Sequence, residues 1–303
     1  MSYVTVIGAA TMDISAKSKA AINAQDSNPG CISLSPGGVG RNIAENLARL
    51  SVDVKLIAAL GGDAFAAEVL KGAKAAGIDM AYCYIDKEAA TSSYVAILDD
   101  KGEMHAAVMA SSSQLTMEHI QKYAAIIEQS QIILLDANLD EEINAHILDQ
   151  FKGKDMYVDT ISKAKAQRIR DFVGQFHTIK MNRLEASFLS GIEITGDKGL
   201  EKASEHFLNQ GTQRVVISLG EEGLYYRSQT ETLKRPARPV AVKNATGAGD
   251  ALMAAVIYCS LEGKSAAYTV DFAQAMARLA LMSEKTVSEQ INVREIERQM
   301  KGL

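Results

Sequence analysis

The chain carries Asn244-Ala245-Thr246-Gly247-Ala248-Gly249-Asp250, followed without a break by the apolar run 251–261. Small residues before an apolar helix allow several backbone N–H groups to point the same way. The start of the helix adds the positive end of its dipole. This stretch therefore predicts an anion-binding loop at a helix N-terminus. The alternative interpretation is an ordinary helix start with an acidic first turn.

Asp250 is the unexpected member of this loop, because a carboxylate that faces a bound phosphate is electrostatically unfavourable. Its presence is explained if Asp250 accepts a proton from a hydroxyl group. The loop amides would then hold the charge that develops on a transferred phosphoryl group. The loop predicts phosphoryl transfer to an alcohol, with Asp250 as the catalytic base.

The composition is that of an ordinary globular protein. The 303 residues are 47% apolar and 23% charged, enough for one large α/β domain or two modest ones. A net charge of -5 argues against nucleic acid as a main partner, because a nucleic-acid binder needs a basic face. No signal peptide or membrane-spanning run is recognisable, and the three cysteines are too scattered for a disulfide framework or a zinc site. We expect no membrane partner and a cytoplasmic location.

Short apolar runs alternate with helical patterns along most of the chain, which predicts a mostly parallel sheet with helices on both faces. Strand-like runs are residues 3–8, 54–60, 132–135, 156–158, 178–180 and 215–218. Helical patterns are residues 38–50, 64–76, 117–129, 141–151, 164–173, 200–209, 249–261 and 266–282.

Two segments interrupt this alternation, at about residues 14–36 and 80–112. Both contain β-like pieces, and Asp99-Asp100-Lys101-Gly102 predicts a hairpin turn in the second. We expect these segments to pair into a small β lid over a cleft at the carboxyl ends of the parallel strands, where ligands bind in such folds. The whole chain, residues 1–303, is then one domain with a lid.

A second glycine-rich loop, Ser35-Pro36-Gly37-Gly38-Val39-Gly40-Arg41-Asn42, precedes the first helix. It lacks the third glycine of the dinucleotide fingerprint, and the chain has no Walker A loop. Gly38 allows a ligand close to the backbone, and Asn42 offers a donor and an acceptor. Asp13, just past the first strand, can accept two hydrogen bonds from a diol. Together they predict a sugar-hydroxyl site; the alternative is a turn shaped by packing.

Asn182 and Glu185 follow another predicted strand and have the spacing of a helix capping box. The functional alternative is that Asn182 reaches nucleotide phosphates while Glu185 organises a hydrated Mg²⁺ ion. Similarly, Ser218-Leu219-Gly220-Glu221-Glu222-Gly223 predicts a hairpin turn, whose position also suits a nucleotide-binding edge.

These landmarks, in this order, resemble the ribokinase-like (PfkB) family of sugar and nucleoside kinases over nearly all of the chain. The resemblance implies a three-layer α/β fold with a small β lid, and ATP and Mg²⁺ as cofactors. It implies that Asp250 is the base and that the amides of Gly247, Ala248 and Gly249 form the anion hole. Residues implied to face ATP and its magnesium are Asn182, Glu185, Ser218, Gly220, Gly223 and Thr246.

Within the family, the chain looks most like the pseudouridine kinases. The similar stretches are residues 26–30, 37–46, 91–94, 135–138 and 182–186. This resemblance adds Ser27, Thr91 and Asn138 to Asp13, Gly38 and Asn42 as substrate-binding residues. Asn244 replaces the aspartate that begins the family's usual loop, which removes a charge near a monovalent-cation site and puts activation by potassium in doubt. Lid strands of the family often pair with a partner's lid, which implies a homodimer.

The sequence is thus interpreted as that of an ATP-dependent kinase for the 5′-hydroxyl of pseudouridine. Two alternatives stay open. The acceptor could instead be ribose, fructose or another nucleoside, or the protein could bind a sugar or nucleoside without catalysis. An intact Asp250 beside an intact loop argues against a pure binding protein, which needs no base there.

Overall fold

The computed structural model describes residues 2–301, so Met1, Gly302 and Leu303 of the predicted domain lie outside the described residues. The strands are β1 (Val4–Ile7), β2 (Thr11–Ser18), β3 (Gly30–Gly37), β4 (Val54–Ile57), β5 (Ala59–Gly61), β6 (Tyr84–Asp86), β7 (Ser93–Leu98), β8 (Met104–Ala110), β9 (Ile132–Asp136), β10 (Asp155–Asp159), β11 (Thr178–Asn182), β12 (Arg214–Ser218), β13 (Leu224–Ser228) and β14 (Thr232–Arg235). The α-helices are α1 (Val39–Arg49), α2 (Ala64–Ala75), α3 (Met117–Lys122), α4 (Ala124–Gln129), α5 (Glu141–Gln150), α6 (Lys163–Ala166), α7 (Arg183–Ser190), α8 (Asp197–Gln210), α9 (Ala248–Leu261), α10 (Ala266–Leu281) and α11 (Val293–Lys301). Short 3₁₀ segments cover Gln167–Gln175 and Gly220–Glu222.

An eight-stranded sheet runs through the centre, in the order β14-β13-β12-β11-β10-β9-β1-β4. Its strands from β12 to β4 are parallel, and β13 and β14 are antiparallel at one edge. Successive side chains of a strand face opposite sides, so Val6 joins one apolar core and Ile7 the other. Helices α1, α9 and α10 cover the first face, and α5, α7 and α8 cover the second. This is the predicted three-layer α/β fold.

A separate four-stranded sheet, which we call the small sheet, has the order β3-β2-β7-β8. The chain enters it between β1 and α1 and again between α2 and α3. The turn predicted at residues 99–102 is present, with the amide of Gly102 donating to the carbonyl of Asp99 at 3.1 Å. Apolar side chains are exposed on the small sheet, including Ile32 and Val108, which are 74% and 69% exposed.

The boundaries of the small sheet differ from the sequence-based expectation in two ways. The first excursion begins earlier, because Thr11 already pairs with Gly37. Of the β-like pieces in the second, β6 does not join the small sheet, because it pairs with β5 next to the main sheet. The predicted helix 117–129 is also divided at Tyr123, which leaves helical geometry at φ -107° and ψ 15°. No helix among residues 2–301 is both long and apolar enough to cross a membrane.

Candidate active site

Polar side chains gather where three neighbouring strands of the main sheet end. Asp136, Asp159 and Asn182 are the last residues of β9, β10 and β11. The carboxyl ends of parallel strands share one edge of a sheet, and ligands of such folds bind along it. The small sheet leaves and returns to the main body at the same edge, since β2 follows β1 and β3 leads into α1.

Helix α9 begins at this edge with Gly247 as its N-cap. The φ angle of Gly247 is 90°, and a Cβ atom there would lie 2.1 Å from the carbonyl oxygen of Thr286. Only glycine fits this position without displacing backbone, so the glycine-rich sequence has a steric cause. The amide of Thr246 donates to Asn244 Oδ1 at 2.9 Å, which folds the preceding loop back on itself. Residues Ala248 and Gly249 follow in the first helical turn, whose N–H groups have no partner within a helix.

Asp250 lies in that first turn and is only 8% exposed. Its Oδ2 atom accepts a hydrogen bond of 2.9 Å from Nδ2 of Asn42, which is 208 residues away in the sequence. Burial raises the pKa of Asp250 to about 7, and the nearby charge of Asp159 acts in the same direction. Lys180 and the Asn42 hydrogen bond lower the pKa and offset part of this rise. A carboxyl group that titrates near neutral pH is suited to accept a proton from an alcohol.

Lys180 and Asp159 form a buried ion pair beside Asp250 that sequence reasoning missed. The Nζ atom of Lys180 donates to Asp159 Oδ2 at 3.0 Å, and the two side chains are 9% and 1% exposed. Burial alone would lower the pKa of Lys180, but Asp159 and Asp250 hold it above its ordinary value. A Cβ atom on Gly249 would lie 2.7 Å from this Nζ, so the positive charge borders the glycine loop. The Lys180 ammonium group therefore lies beside the loop whose amides were predicted to bind an anion.

Asp136 joins three segments around the site and was not predicted either. Its Oδ2 atom accepts from the amides of Ala9 at 2.7 Å and Gly40 at 2.9 Å. Its Oδ1 atom accepts from the amide of Asn138 at 3.1 Å. Burial raises the pKa of Asp136, and these backbone donors oppose the rise. The signal was available, because Asp136 ends a buried strand at the edge where ligands bind.

Asp13 belongs to the small sheet, and Gly38 lies between that sheet and α1. Asp13 is in β2, inside the small sheet, and its Oδ1 accepts from the Thr11 hydroxyl at 3.0 Å. Burial raises the pKa of Asp13, while Thr11 and Arg41 lower it. Gly38 has φ 94°, and a Cβ atom there would lie 2.5 Å from the carbonyl oxygen of Ala9. The Asp13 carboxylate also packs against the glycine-rich loop, because a Cβ atom on Gly37 would lie 2.2 Å from its Oδ2.

Asn182 and Glu185 form the capping box at the start of α7. Glu185 is 2% exposed and accepts from the Thr160 hydroxyl at 2.6 Å, the Asn182 amide at 2.8 Å and Asn182 Nδ2 at 2.6 Å. Ser218 pairs with Asn182 across β11 and β12 and donates to the Met181 carbonyl at 3.3 Å. Gly220 and Gly223 form the turn between β12 and β13, next to this pair. The prediction of a helix capping box at Asn182 and Glu185 is therefore confirmed.

The other three predicted substrate-binding residues, Asn138, Thr91 and Ser27, are less close together. Asn138 borders a cleft that also includes Thr11 and Ser92, and its carbonyl accepts from Arg168. Thr91 is buried, and its hydroxyl already donates to Asp63 at 2.6 Å and accepts from the amide of Gly61 at 3.1 Å. Ser27 is exposed in the turn between β2 and β3. Among these three predicted residues, only Asn138 lines the cleft.

Carboxylate oxygens are the ligands that Mg²⁺ prefers, and it keeps several of its waters. Residues 2–301 contain no group of three or more His, Cys, Asp or Glu side chains placed to hold a metal ion directly. Oε2 of Glu185 accepts two hydrogen bonds and Oε1 accepts one, so about one of its four lone-pair sites, on Oε1, fits a water-mediated contact.

Comparison with known proteins finds relatives over nearly the whole chain. The sequence pattern of the pfkB family carbohydrate kinases matches residues 1–291. The pseudouridine kinase of Escherichia coli (strain K12) is 37% identical over 298 residues, which are 97% of this chain and 95% of the relative.

Solved structures show the same fold. A putative sugar kinase from Clostridium perfringens matches with a TM-score of 0.89 at 33% identity, covering 100% of this chain and 96% of the other. A putative ribokinase II from E. coli, solved in complex with ATP and Mg²⁺, matches with a TM-score of 0.87 at 20% identity, covering 100% of both chains. At 20% identity the second likeness concerns the fold alone.

Proposed function

Because this chain belongs to the pfkB family of carbohydrate kinases, and is a phosphotransferase with an alcohol as acceptor, we propose that it phosphorylates the 5′-hydroxyl of pseudouridine at the expense of ATP. The buried Asp250 carboxylate at the start of α9, hydrogen-bonded to Asn42, is the observation that carries the proposal. The pseudouridine kinase of E. coli, at 37% identity, supports the choice of acceptor.

Asp250 removes the proton of the acceptor hydroxyl as its oxygen attacks the γ-phosphorus of ATP. The new bond joins that oxygen to phosphorus, the bond from phosphorus to the β,γ-bridging oxygen breaks, and ADP leaves. With a pKa of about 7, Asp250 is ionised in a large fraction of molecules near neutral pH. The amides of Gly247, Ala248 and Gly249 would stabilise charge on the transferred group, and Lys180 adds a cation on the same side.

The acceptor would be held from the small-sheet side of the cleft. Asp13 would accept hydrogen bonds from the ribose diol, and Gly38 would allow the ligand close to the backbone. Asn42 contacts Asp250 and would also face the sugar. We propose that the small sheet acts as a lid that excludes water, which competes with the alcohol as acceptor.

On the nucleotide side, Asn182, Ser218, Gly220, Gly223 and Thr246 would contact ATP. A magnesium ion held through water by Glu185 would neutralise charge on the phosphates. Glu185 is already fixed by Thr160 and by the capping box, so it needs no rearrangement to orient that water shell.

An ATP-consumption assay against pseudouridine, uridine, ribose, fructose and other nucleosides tests this proposal. Asp250→Asn should lose on the order of 10²–10⁴-fold in kcat, because an amide cannot accept the proton. Turnover by the variant near that of the wild type would remove Asp250 from the mechanism. The same assay with and without K⁺ shows whether the protein, with Asn244 in its loop, is activated by potassium. The particle size of the protein in solution shows whether the exposed small sheet joins two copies.

The acceptor itself is tested by comparing pseudouridine with uridine. Pseudouridine carries an extra imide N–H, so selection needs a buried hydrogen-bond acceptor in the protein that uridine leaves unpaired. Leaving such an acceptor unpaired costs about 1–3 kcal/mol, which disfavours the binding of uridine. Thr91→Ala would remove the hydrogen bonds to Asp63 and Gly61, so its effect mixes stability with recognition. Ser27 is exposed in the turn between β2 and β3, so Ser27→Ala should shrink the preference, without changing the KM of ATP, only if that turn closes over the base. Equal use of pseudouridine and uridine by the unmodified protein would contradict pseudouridine as the specific acceptor and would support only the broader assignment as a kinase.

A further inference from the structure

Arg41 is a buried cation on α1 that the chemistry above does not use. Its side chain is 7% exposed, and Nη2 donates to Glu45 Oε2. The other oxygen of Glu45 accepts from Arg49, at 3.0 Å from Nε and 2.7 Å from Nη2. A buried guanidinium requires charged or polar partners, and Glu45 supplies the charge. Glu45 thus has two arginine partners on one helix, but only Arg41 reaches the site.

The Nη1 atom of Arg41 contacts Asn42, which in turn donates a hydrogen bond to the proposed base, Asp250. Its Nη1 atom donates to the carbonyl of Pro36 at 3.0 Å and to Asn42 Oδ1 at 3.1 Å. A side-chain amide has its oxygen on one side and its NH₂ group on the other, so a donor that holds Oδ1 directs Nδ2 away from itself. That Nδ2 is the atom that donates to Asp250. In the flipped amide, the Asn42 oxygen would face the Asp250 carboxylate and the NH₂ group would face Arg41.

We propose that Arg41 is a positioning residue that acts through Asn42, by fixing the orientation of the amide that donates to Asp250. The inference rests on the proposed function, because it requires Asp250 to be the base. Pro36 belongs to β3, so the guanidinium joins a strand of the small sheet, through Asn42, to the proposed catalytic residue.

The charged groups that face Asp250 come from three other elements. Asp136 ends β9, Asp159 ends β10, and Lys180 lies on β11. Arg41→Met leaves all three in place, so its effect on the pH dependence of kcat reports the Asn42 contact. Arg41 also lowers the pKa of Asp13, so the KM of the acceptor can change as well, whereas kcat at saturating acceptor follows the base.

The test compares Arg41→Met with Arg49→Met, which removes the other partner of Glu45 from the same helix. We expect Arg41→Met to lower kcat about tenfold and to move the rise of kcat with pH to higher pH, because the carboxylate loses a fixed donor. Arg49→Met should change kcat less than about twofold and leave the pH profile unchanged. Arg41→Lys keeps a charge for Glu45 but cannot also hold Pro36 and Asn42; it carries the test if the methionine variant does not fold.

A double-mutant cycle with Asn42→Ala separates positioning from a general structural effect. If Arg41 acts through Asn42, Arg41→Met lowers kcat less than about twofold in the Asn42→Ala background. An equal loss in both backgrounds, or an equal loss from Arg49→Met, would overturn the inference. Asp250→Asn, assayed in parallel, keeps the two proposals apart. Turnover by that variant contradicts the proposed function. If the variant is inactive, the double-mutant cycle alone decides whether Arg41 acts through Asn42.

Discussion

Replacing Asp250 with asparagine should make the protein more stable at pH 8 while it removes turnover. In the folded chain burial raises the pKa of Asp250 from 3.8 to about 7, so ionising this group costs more in the folded than in the unfolded protein. One pKa unit corresponds to about 1.4 kcal/mol, and a difference of about three units gives about 4 kcal/mol above pH 7. The asparagine avoids this cost, and its side-chain oxygen can still accept from Asn42 Nδ2.

The sign of the pH dependence follows from the protons bound in each state. Between pH 4 and pH 7 the unfolded chain has lost the Asp250 proton and the folded chain retains it, so the wild type loses stability as the pH rises. Above pH 7 both states are ionised and the cost stays constant. The stability of Asp250→Asn relative to the wild type should therefore increase by about 2–3 kcal/mol from pH 5 to pH 8.

Urea unfolding of both proteins at pH 5, 6, 7 and 8 measures this difference. Asp63→Asn is a matched control, because hydrogen bonds from Thr91 and Ala66 outweigh burial and lower the pKa of Asp63. The stability that ionised Asp63 contributes is lost only at a pH below 5, outside the range of the assay. The difference in unfolding free energy between Asp63→Asn and the wild type should therefore stay constant from pH 5 to pH 8. A constant difference for Asp250→Asn as well would refute the reasoning about its burial.

Three further predictions concern single residues. Asp13→Ala should raise the acceptor KM at least about tenfold with little effect on the KM of ATP, since a charge-assisted hydrogen bond is worth roughly 1.5–3 kcal/mol; equal changes in both constants would make its role structural. Asp159→Asn removes a charge that raises the pKa of Asp250, so the rise of kcat with pH should move to lower pH; an unchanged profile would contradict the coupling. An alanine in the left-handed region costs roughly 1–2 kcal/mol of stability. Gly247→Ala should lower the unfolding free energy by more than this, because its Cβ atom would lie 2.1 Å from a backbone oxygen. Gly77→Ala, at φ 81° with no atom near its Cβ, should lose only the cost of backbone strain, and equal losses for the two variants would argue against the clash.

The main sheet and its helices could be predicted because their signals are local. Strand β9 is buried at every residue and has a mostly apolar sequence. Helix α9 begins after Gly247, whose positive φ angle favours glycine. The register of the small sheet could not be predicted in the same way. Strands β2 and β3 are mostly polar or exposed, and a weakly alternating pattern does not specify which strands pair.

The candidate site shows the same division. Asn42 and Asp250 stand out through their glycine-rich neighbours, and Asp13 through its place just past the first strand. Lys180 lies within a strand and has no such neighbourhood, and its partner Asp159 is 21 residues earlier. A lysine in a predicted strand gives no local reason to expect burial, because the compensating charge is contributed by another strand.

Strand β1 has a consequence for how the chain is made. It lies between β4 and β9, and Val4 pairs with Val54 on one side and with Ile132 on the other. A ribosome that adds about 5–20 residues per second needs about 6–25 s to pass from Val4 to Ile132. Throughout that interval one edge of an apolar strand has no partner, and such an edge can pair with another nascent chain. Strand β1 is therefore open to pairing with other chains until β9 has left the ribosome.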